Sequence, residues 1–236
     1  MGLSLSRGRS LDPGSIGIER ESLLPVEQGP IDLRSWFAGA EGDSGGDSES
    51  ARRPIELEIG SGKGTFLVRQ AALVPSVNYI GIEYAKAFWR YAADRCRRHG
   101  LTNVRLVHAE AGTFVRYMIP DAAIRQVHIY FPDPWPKKRH HKRRLIQQPF
   151  LLQLHRILES PRSDDPQAGL VRIATDHADY FAWMQEHAAS AADWFEQLPF
   201  TSPVSAGQGE LVGTNFERKY RREGRPFFGM ILRKRG

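Results

Sequence analysis

Residues 55–64, IELEIGSGKG, decide how the chain is read. Residues 55–59 have the makeup of a short buried strand. Gly60, Gly62 and Gly64 then follow at alternate positions, and a helix is predicted over about 65–72. Glycines between a strand and a helix let the backbone turn sharply and let a ligand approach the main chain. Their G-x-G-x-G spacing departs from the G-x-G-x-x-G of dinucleotide-binding turns. Lys63 is followed by Gly64 rather than by the Ser or Thr of a phosphate-binding P-loop. Taken alone, the three glycines are equally compatible with a generic tight turn.

Working outward, the pattern repeats. Strands are predicted at 79–82, 104–107, 127–130 and 169–175, and two late ones near 194–198 and 227–233. Helices are predicted at 86–99, between the third and fourth strands, over roughly 143–157 and over 177–189. Such alternation implies an α/β fold with a mostly parallel, Rossmann-like sheet of seven strands and helices on both faces. The breaker-rich stretches 160–168 and 201–213 read as surface loops within it. Residues 1–50, rich in Ser, Gly, Asp, Glu and Arg, read as a disordered leader, with 41–50 close to pure linker composition. The apolar piece 31–37 is a candidate for docking on the domain, which is placed at 51–236.

The composition sets the class. The chain has 236 residues, 41% of them hydrophobic and 25% charged, as in ordinary globular proteins. Its formal net charge of +6 favours an anionic partner, nucleic acid before membrane surface. A single cysteine, Cys96, excludes an intrachain disulfide and a Cys-based zinc site and suits the reducing cytoplasm. Cys96 lies among Arg95, Arg97 and Arg98 but has no triad partner in the pattern, so it reads as non-catalytic. No secretory h-region and no run of eighteen apolar residues occur, so no membrane partner is expected. Met1-Gly2 with Ser6 formally matches a myristoylation pattern, a match short enough to arise by chance.

Two acids bear on the glycine turn. Glu83 ends the second strand, where a carboxylate in such folds reaches nucleoside ribose hydroxyls. Glu58 ends the first strand beside the glycines, where it would attract a cation. S-adenosylmethionine has no phosphate but carries an ammonium and a sulfonium, and it fits both acids. E-x-G-x-G-x-G with a second-strand Glu resembles motif I and the ribose acid of class I methyltransferases. Glu110, after the third strand, is placed for adenine or its flanking amides; the alternative is a surface carboxylate without a ligand.

After the fourth strand comes 131–145, FPDPWPKKRHHKRRL. Ligands in open α/β sheets bind beyond the carboxyl ends of the strands, which places Asp133 at the cleft. Pro132 and Pro134 restrict the backbone on either side of it. Trp135 offers a face for a base. Lys137 to Arg144 is dominated by Lys and Arg; such a run is usually a solvated face, but here it adjoins a carboxylate and an aromatic, and phosphates are its natural target. Adjacent His140 and His141 diverge, so zinc is not expected there, nor any other metal.

This stretch resembles the signature of the bacterial-type tRNA (guanine-N7-)-methyltransferases. ELEIGSGKG, YIGIE, Thr175-Asp176 and Thr214-Asn215-Phe216-Glu217 fit the same family in order, over about residues 54–235. The resemblance implies a class I S-adenosylmethionine-dependent methyltransferase acting on guanine 46 of the tRNA variable loop. It implies cofactor contacts at Glu58, the glycines, Glu83, Glu110 and Asp133, with Asp133 also the catalytic residue. Relatives commonly carry Asp or Asn where Glu110 stands. Lys137, Asp176, Thr214, Asn215, Phe216 and Glu217 match substrate-binding positions. Arg139, His140, His141, Lys142, Arg143 and Arg144 match the RNA-contacting stretch. A tRNA partner is thus expected, no obligate protein partner is evident, and either a monomer or a homodimer fits.

Guanine N7 has a free lone pair, so the chemistry asks for positioning and electrostatics rather than a strong base. Asp133 would oppose the positive charge that appears on the purine. Asp176 and Glu217 would accept from guanine N1–H and its amine. The bland alternatives are a helix N-cap at Asp176 and a surface ion pair at Glu217 with Arg218, Lys219 or Arg221. Two rival readings remain at this level. One is methylation of an exocyclic amine, since Asp133-Pro134-Trp135 is near the Asn/Asp-Pro-Pro-aromatic motif of those enzymes. The other is an RNA-binding module with a degenerate nucleoside pocket.

Overall fold

The computed structural model describes residues 8–39 and 48–236. Met1, Gly2 and Ser6 and most of the linker-like stretch 41–50 lie outside those residues. The chain forms two compact units, Met1–Pro120 and Asp121–Gly236.

In the first unit the elements run β1 (Gly17–Ile18), α1 (Glu49–Arg52), β2 (Ile55–Ile59), α2 (Thr65–Leu73), β3 (Asn78–Glu83), α3 (Lys86–Arg98), β4 (Val104–His108) and α4 (Ala111–Tyr117). The strands lie in the order β1-β4-β3-β2, all neighbours parallel. Every residue of β2 is buried, as a parallel strand covered on both faces requires. Helix α3 buries Trp89, Ala92, Ala93 and Cys96, spaced at helical period, and leaves Arg95, Arg97 and Arg98 in its last turn, where they oppose the helix dipole. Cys96 is fully buried, and burial pushes its thiol up to about 12, so it is inert as a nucleophile.

The described part of the leader is ordered, contrary to its composition. Gly17–Ile18 pairs with Leu106–Val107, and Ile16, Leu33 and Phe37 are buried. Asp94 of α3 accepts from Arg9 and from the Asp12 amide, while Arg97 donates to the Asp12 carbonyl. The apolar piece 31–37 docks as expected: Leu33–Phe37 is a 3-10 helix, and the Arg105 guanidinium lies 4.9 Å from the Phe37 ring centroid. A few apolar residues spaced along a polar segment suffice when each fills a site on a ready-made surface.

The second unit carries β5 (Gln126–Tyr130), α5 (Gln148–Ile157), β6 (Leu170–Thr175), α6 (Ala178–Ala189), β7 (Phe195–Pro199), α7 (Asn215–Arg221) and β8 (Phe228–Lys234). Its strands lie in the order β5-β6-β8-β7, with β5 and β6 parallel and β8 antiparallel to both its neighbours. The seven predicted strands are all present within a residue or so, and β1 from the leader is an eighth.

Two helical expectations are corrected. The helix predicted from residue 143 begins at Gln148, after an extended Gln147, with Pro149 inside its first turn, where a proline is tolerated. The basic run before it is instead a 3-10 helix, Lys138–Arg143. Helix α7 was not predicted. Its N-cap is Thr214, whose hydroxyl accepts from the Glu217 amide at 3.1 Å.

Candidate active site

In the first unit the glycine turn folds back on β3. The amides of Gly60 and Ser61 both donate to the Ile82 carbonyl, at 2.9 and 3.0 Å. Gly60, Gly62 and Gly64 all have positive φ, at 80°, 52° and 65°. A Cβ on Gly60 or Gly62 would meet nothing within 4 Å, so this side of the turn is open to a ligand. A Cβ on Gly64 would lie 3.0 Å from the Ala92 methyl, so the third glycine serves the approach of α3.

Glu83 is brought to this turn. One carboxylate oxygen accepts from the Gly62 amide and the other from the Ala85 amide, both at 2.8 Å. Each oxygen keeps a free lone pair for a ribose hydroxyl. Glu58 is 4% exposed, and its Oε2 has no hydrogen-bond partner. Burial raises its pKa to about 8; the nearby Ser61 hydroxyl moderates the rise and the Glu83 charge adds to it. A buried acid with an idle oxygen beside an open backbone cradle fits a cationic nucleoside ligand. The residues present therefore fit S-adenosylmethionine.

Glu110 is differently occupied. It caps α4, accepting from the Gly112 amide, the Thr113 amide and the Thr113 hydroxyl, each at 2.7 Å. Burial works to raise its pKa, but these bonds outweigh it and hold the carboxyl below its usual range. Glu110→Ala should therefore cost about 0.5–2 kcal/mol of stability, read as a lower melting temperature of the free protein. An unchanged melting temperature, with cofactor affinity lost, would place Glu110 on the cofactor instead.

In the second unit Asp133 follows β5 and is exposed, with no hydrogen bond or ion pair among the described residues. Phe131 and Trp135, two residues either side, have positive φ of 55° and 44°. The Phe131 amide donates to the Ala174 carbonyl on β6 at 2.8 Å. Its ring packs on Phe216 and Phe227, with centroids at 4.8 and 5.7 Å, which brings Phe216 against the loop of Asp133. Trp135 is capped by the Arg143 guanidinium, 5.0 Å from its ring centroid, with the His140 ring edge-on.

The basic run is divided. Lys137, Arg139, Lys142 and Arg143 are exposed, and His140 and His141 half-buried. Arg144 points inward and is 1% exposed, which corrects its expected place among the RNA contacts.

The two acids assigned to guanine are both paired with arginine. Asp176 accepts from Arg225 at 3.1 Å, and Arg225 lies over the Tyr220 ring. The N-cap of α6 is His177, whose ring accepts from the Tyr180 amide, so Asp176 is free of that duty. Glu217 is fully buried. It accepts from the amides of Leu211, Val212 and Gly213 at 2.5, 2.9 and 2.9 Å and from Arg221 at 2.6 Å. Burial pushes its pKa up, but the amides and Arg221 outweigh this and keep it low. Its acceptor capacity is spent on the 211–213 turn and on Arg221, so the ion pair expected with Arg221 is present but buried, and no lone pair is left for the expected guanine contact. Asn215 is exposed at the start of α7. Leu211, Arg221, Arg225 and Phe227 line an open cavity of about 550 Å³.

Solved structures share this architecture. A 30S ribosomal A1408 methyltransferase from an uncultured bacterium superposes with a TM-score of 0.52 at 14% identity, over 78% of this chain and 88% of its own. A precorrin-6y C5,15-methyltransferase from Geobacter metallireducens superposes at 0.50 and 14%, over 78% and 80%. The fold, with its glycine turn and second-strand acid, is that of a class I S-adenosylmethionine-dependent methyltransferase. Residues 52–230 match a family model described as "Putative methyltransferase". The tRNA (guanine-N(7)-)-methyltransferase of Alkalilimnicola ehrlichii is 36% identical over 223 residues, 94% of this chain and 83% of its own. That of Halorhodospira halophila is 34% identical over 210 residues, 89% and 82%. The chain belongs to the tRNA (guanine-N(7)-)-methyltransferase family.

Proposed function

We propose that this chain methylates N7 of a guanine in tRNA, at position 46 of the variable loop, in the cytoplasm. The observation that carries the reading is Asp133: an exposed, unpaired carboxylate on the loop after β5, followed by exposed Lys137, Arg139, Lys142 and Arg143. S-adenosylmethionine, when bound, supplies a methyl group on a sulfonium sulfur, which the N7 lone pair takes up as the sulfur leaves as a neutral thioether.

The chain's residues bind and orient. Glu58 holds the cationic end of the cofactor and Glu83 the ribose hydroxyls, across the open side of Gly60 and Gly62. Asp133 faces the charge that develops on the purine, where a fixed carboxylate lowers the barrier without moving a proton. Asp176 accepts from guanine N1–H or its amine once Arg225 gives way. Glu217 and Thr214 act one step back, by fixing the turn and helix that border the base, with Phe216 and Asn215 on the exposed side. Lys137 and the exposed arginines take phosphates, a contact that weakens steeply with salt.

The test is to incubate the protein with methyl-labelled S-adenosylmethionine and unmodified tRNA, then to locate the label by mass spectrometry. Label on N7 of guanine is the expected result. Label on an exocyclic amine, or none, would overturn the reading.

A further inference from the structure

We propose that Arg144 is a positioning residue that fixes the shape of the loop carrying Asp133, by clamping the Pro134 carbonyl to the first turn of α6. The proposal rests on the role given to Asp133 above. In the sequence Arg144 is the last member of a basic run and indistinguishable from Arg143. In the structure Arg143 is exposed and Arg144 is 1% exposed.

Its guanidinium is used in three directions. Nε donates to the Pro134 carbonyl at 2.9 Å, and Nη2 donates to the Asp179 carboxylate. The plane lies over the rings of Tyr180 and Trp183, with centroid distances of 5.0 and 5.2 Å. Asp179 sits in the first turn of α6, where an anion is favoured, and its side chain is largely exposed while its partner is buried. The Arg144 guanidinium holds the Asp179 carboxyl below its usual range, so the pair stays charged at neutral pH. A planar fork can satisfy two acceptors and two ring faces at once; a lysine ammonium cannot.

The loop needs such a clamp. Phe131 and Trp135 both occupy the left-handed region, and non-glycine residues there cost on the order of 1–3 kcal/mol each unless the surroundings fix them. Phe131 is fixed through its amide bond to Ala174 and its aromatic neighbours. Pro132, Pro134 and Pro136 have no amide to donate. Among the described residues, the Arg144 bond is the one hydrogen bond to the main chain of residues 132–136. It grips the peptide that leads into Trp135. Asp133 is therefore suspended between two anchors, and Arg144 is the second.

The experiment compares Arg144→Lys, Asp179→Asn and Asp179→Glu with the wild-type chain in steady-state methylation, tRNA binding and amide hydrogen exchange. Arg144→Lys should lower kcat by about 100-fold, with KM for tRNA and cofactor changed by less than about threefold. Asp179→Asn should lower kcat by about 10-fold, and Asp179→Glu should recover most of it. Exchange at the Phe131 amide, the protected amide of this loop, should quicken, while the salt dependence of tRNA binding stays as in the wild type. An unchanged kcat in both Arg144→Lys and Asp179→Asn would overturn the proposal. So would a loss that appears as raised KM with a shallower salt slope, or one matched by the lost folded fraction. Should Arg144→Lys fail to fold, Asp179→Asn decides, because that side chain is largely exposed. Wild-type protein that methylates no tRNA would refute the proposed function instead, and loop exchange alone would then decide the clamp.

Discussion

Replacing Asp133 by alanine is expected to slow single-turnover methyl transfer by about 10²–10³-fold with little change in tRNA affinity. The expectation comes from the charge balance of the reaction. Guanine N7 enters with its lone pair exposed, and no proton has to leave. What changes is that the purine becomes cationic. A carboxylate matters most where its charge is not already neutralised, and Asp133 has no arginine or lysine partner among the described residues. Asp176 and Glu217, by contrast, are each held by an arginine. Asp133→Asn separates charge from shape. It keeps the size of the side chain and loses the anion, so it should fall most of the way to the alanine rate. Near wild-type transfer by Asp133→Ala would remove Asp133 from the chemistry.

Glu58→Gln is expected to weaken S-adenosylmethionine binding by about 30-fold or more while stabilising the free protein above neutral pH. Both effects follow from one buried carboxyl. Its pKa is about 8 when folded, against an ordinary value of 4.5, chiefly because burial disfavours the anion. Between those values the folded chain keeps a proton that the unfolded chain gives up. Stability therefore falls as pH rises through that window, by as much as about 5 kcal/mol in total. A neutral glutamine removes this slope. The melting temperatures of variant and wild type should agree near pH 5 and separate by several degrees above pH 8, with the variant higher. Binding a cation reverses the preference: Glu58 must ionise, so wild-type affinity should rise with pH up to about 8, and the heat of binding should depend on the buffer that takes the proton. Calorimetry in two buffers, beside a melting series in pH, reads all of this. A flat melting difference would show that Glu58 is ionised in the free chain.

The glycine turn was legible residue by residue because its signals are local. A buried strand, a helix start and three glycines need no distant contact to be recognised. Strand ends elsewhere fell within a residue or so for the same reason. The leader was misread because Ile16, Leu33 and Phe37 are scattered through polar sequence, and only the surface they meet makes them a core. Helix α7 was readable: Thr214 and Glu217 are spaced as a capping box after a glycine, although the carboxylate reaches the 211–213 amides instead of the cap itself. Glu110 caps α4 through Gly112 and Thr113, and that spacing alone does not separate a cap from a cofactor ligand. Arg143 and Arg144 could not be told apart, because neighbours on a tight turn point different ways and only the position of α6 decides which one goes inward.

The leader strand β1 also has a bearing on how these molecules behave in a crowd. A parallel sheet ends in a row of unpaired amides and carbonyls, which any extended peptide can extend. Here the outer side of β4 at Leu106–Val107 is already taken by Gly17–Ile18, a strand of only two residues. Gly17 is pressed so closely to Pro13 and Trp89 that a Cβ would lie 2.5 and 2.9 Å from their side chains. A larger residue at this position, or loss of the first twenty residues, would uncover a hydrophobic strand edge and leave it as a template for self-association.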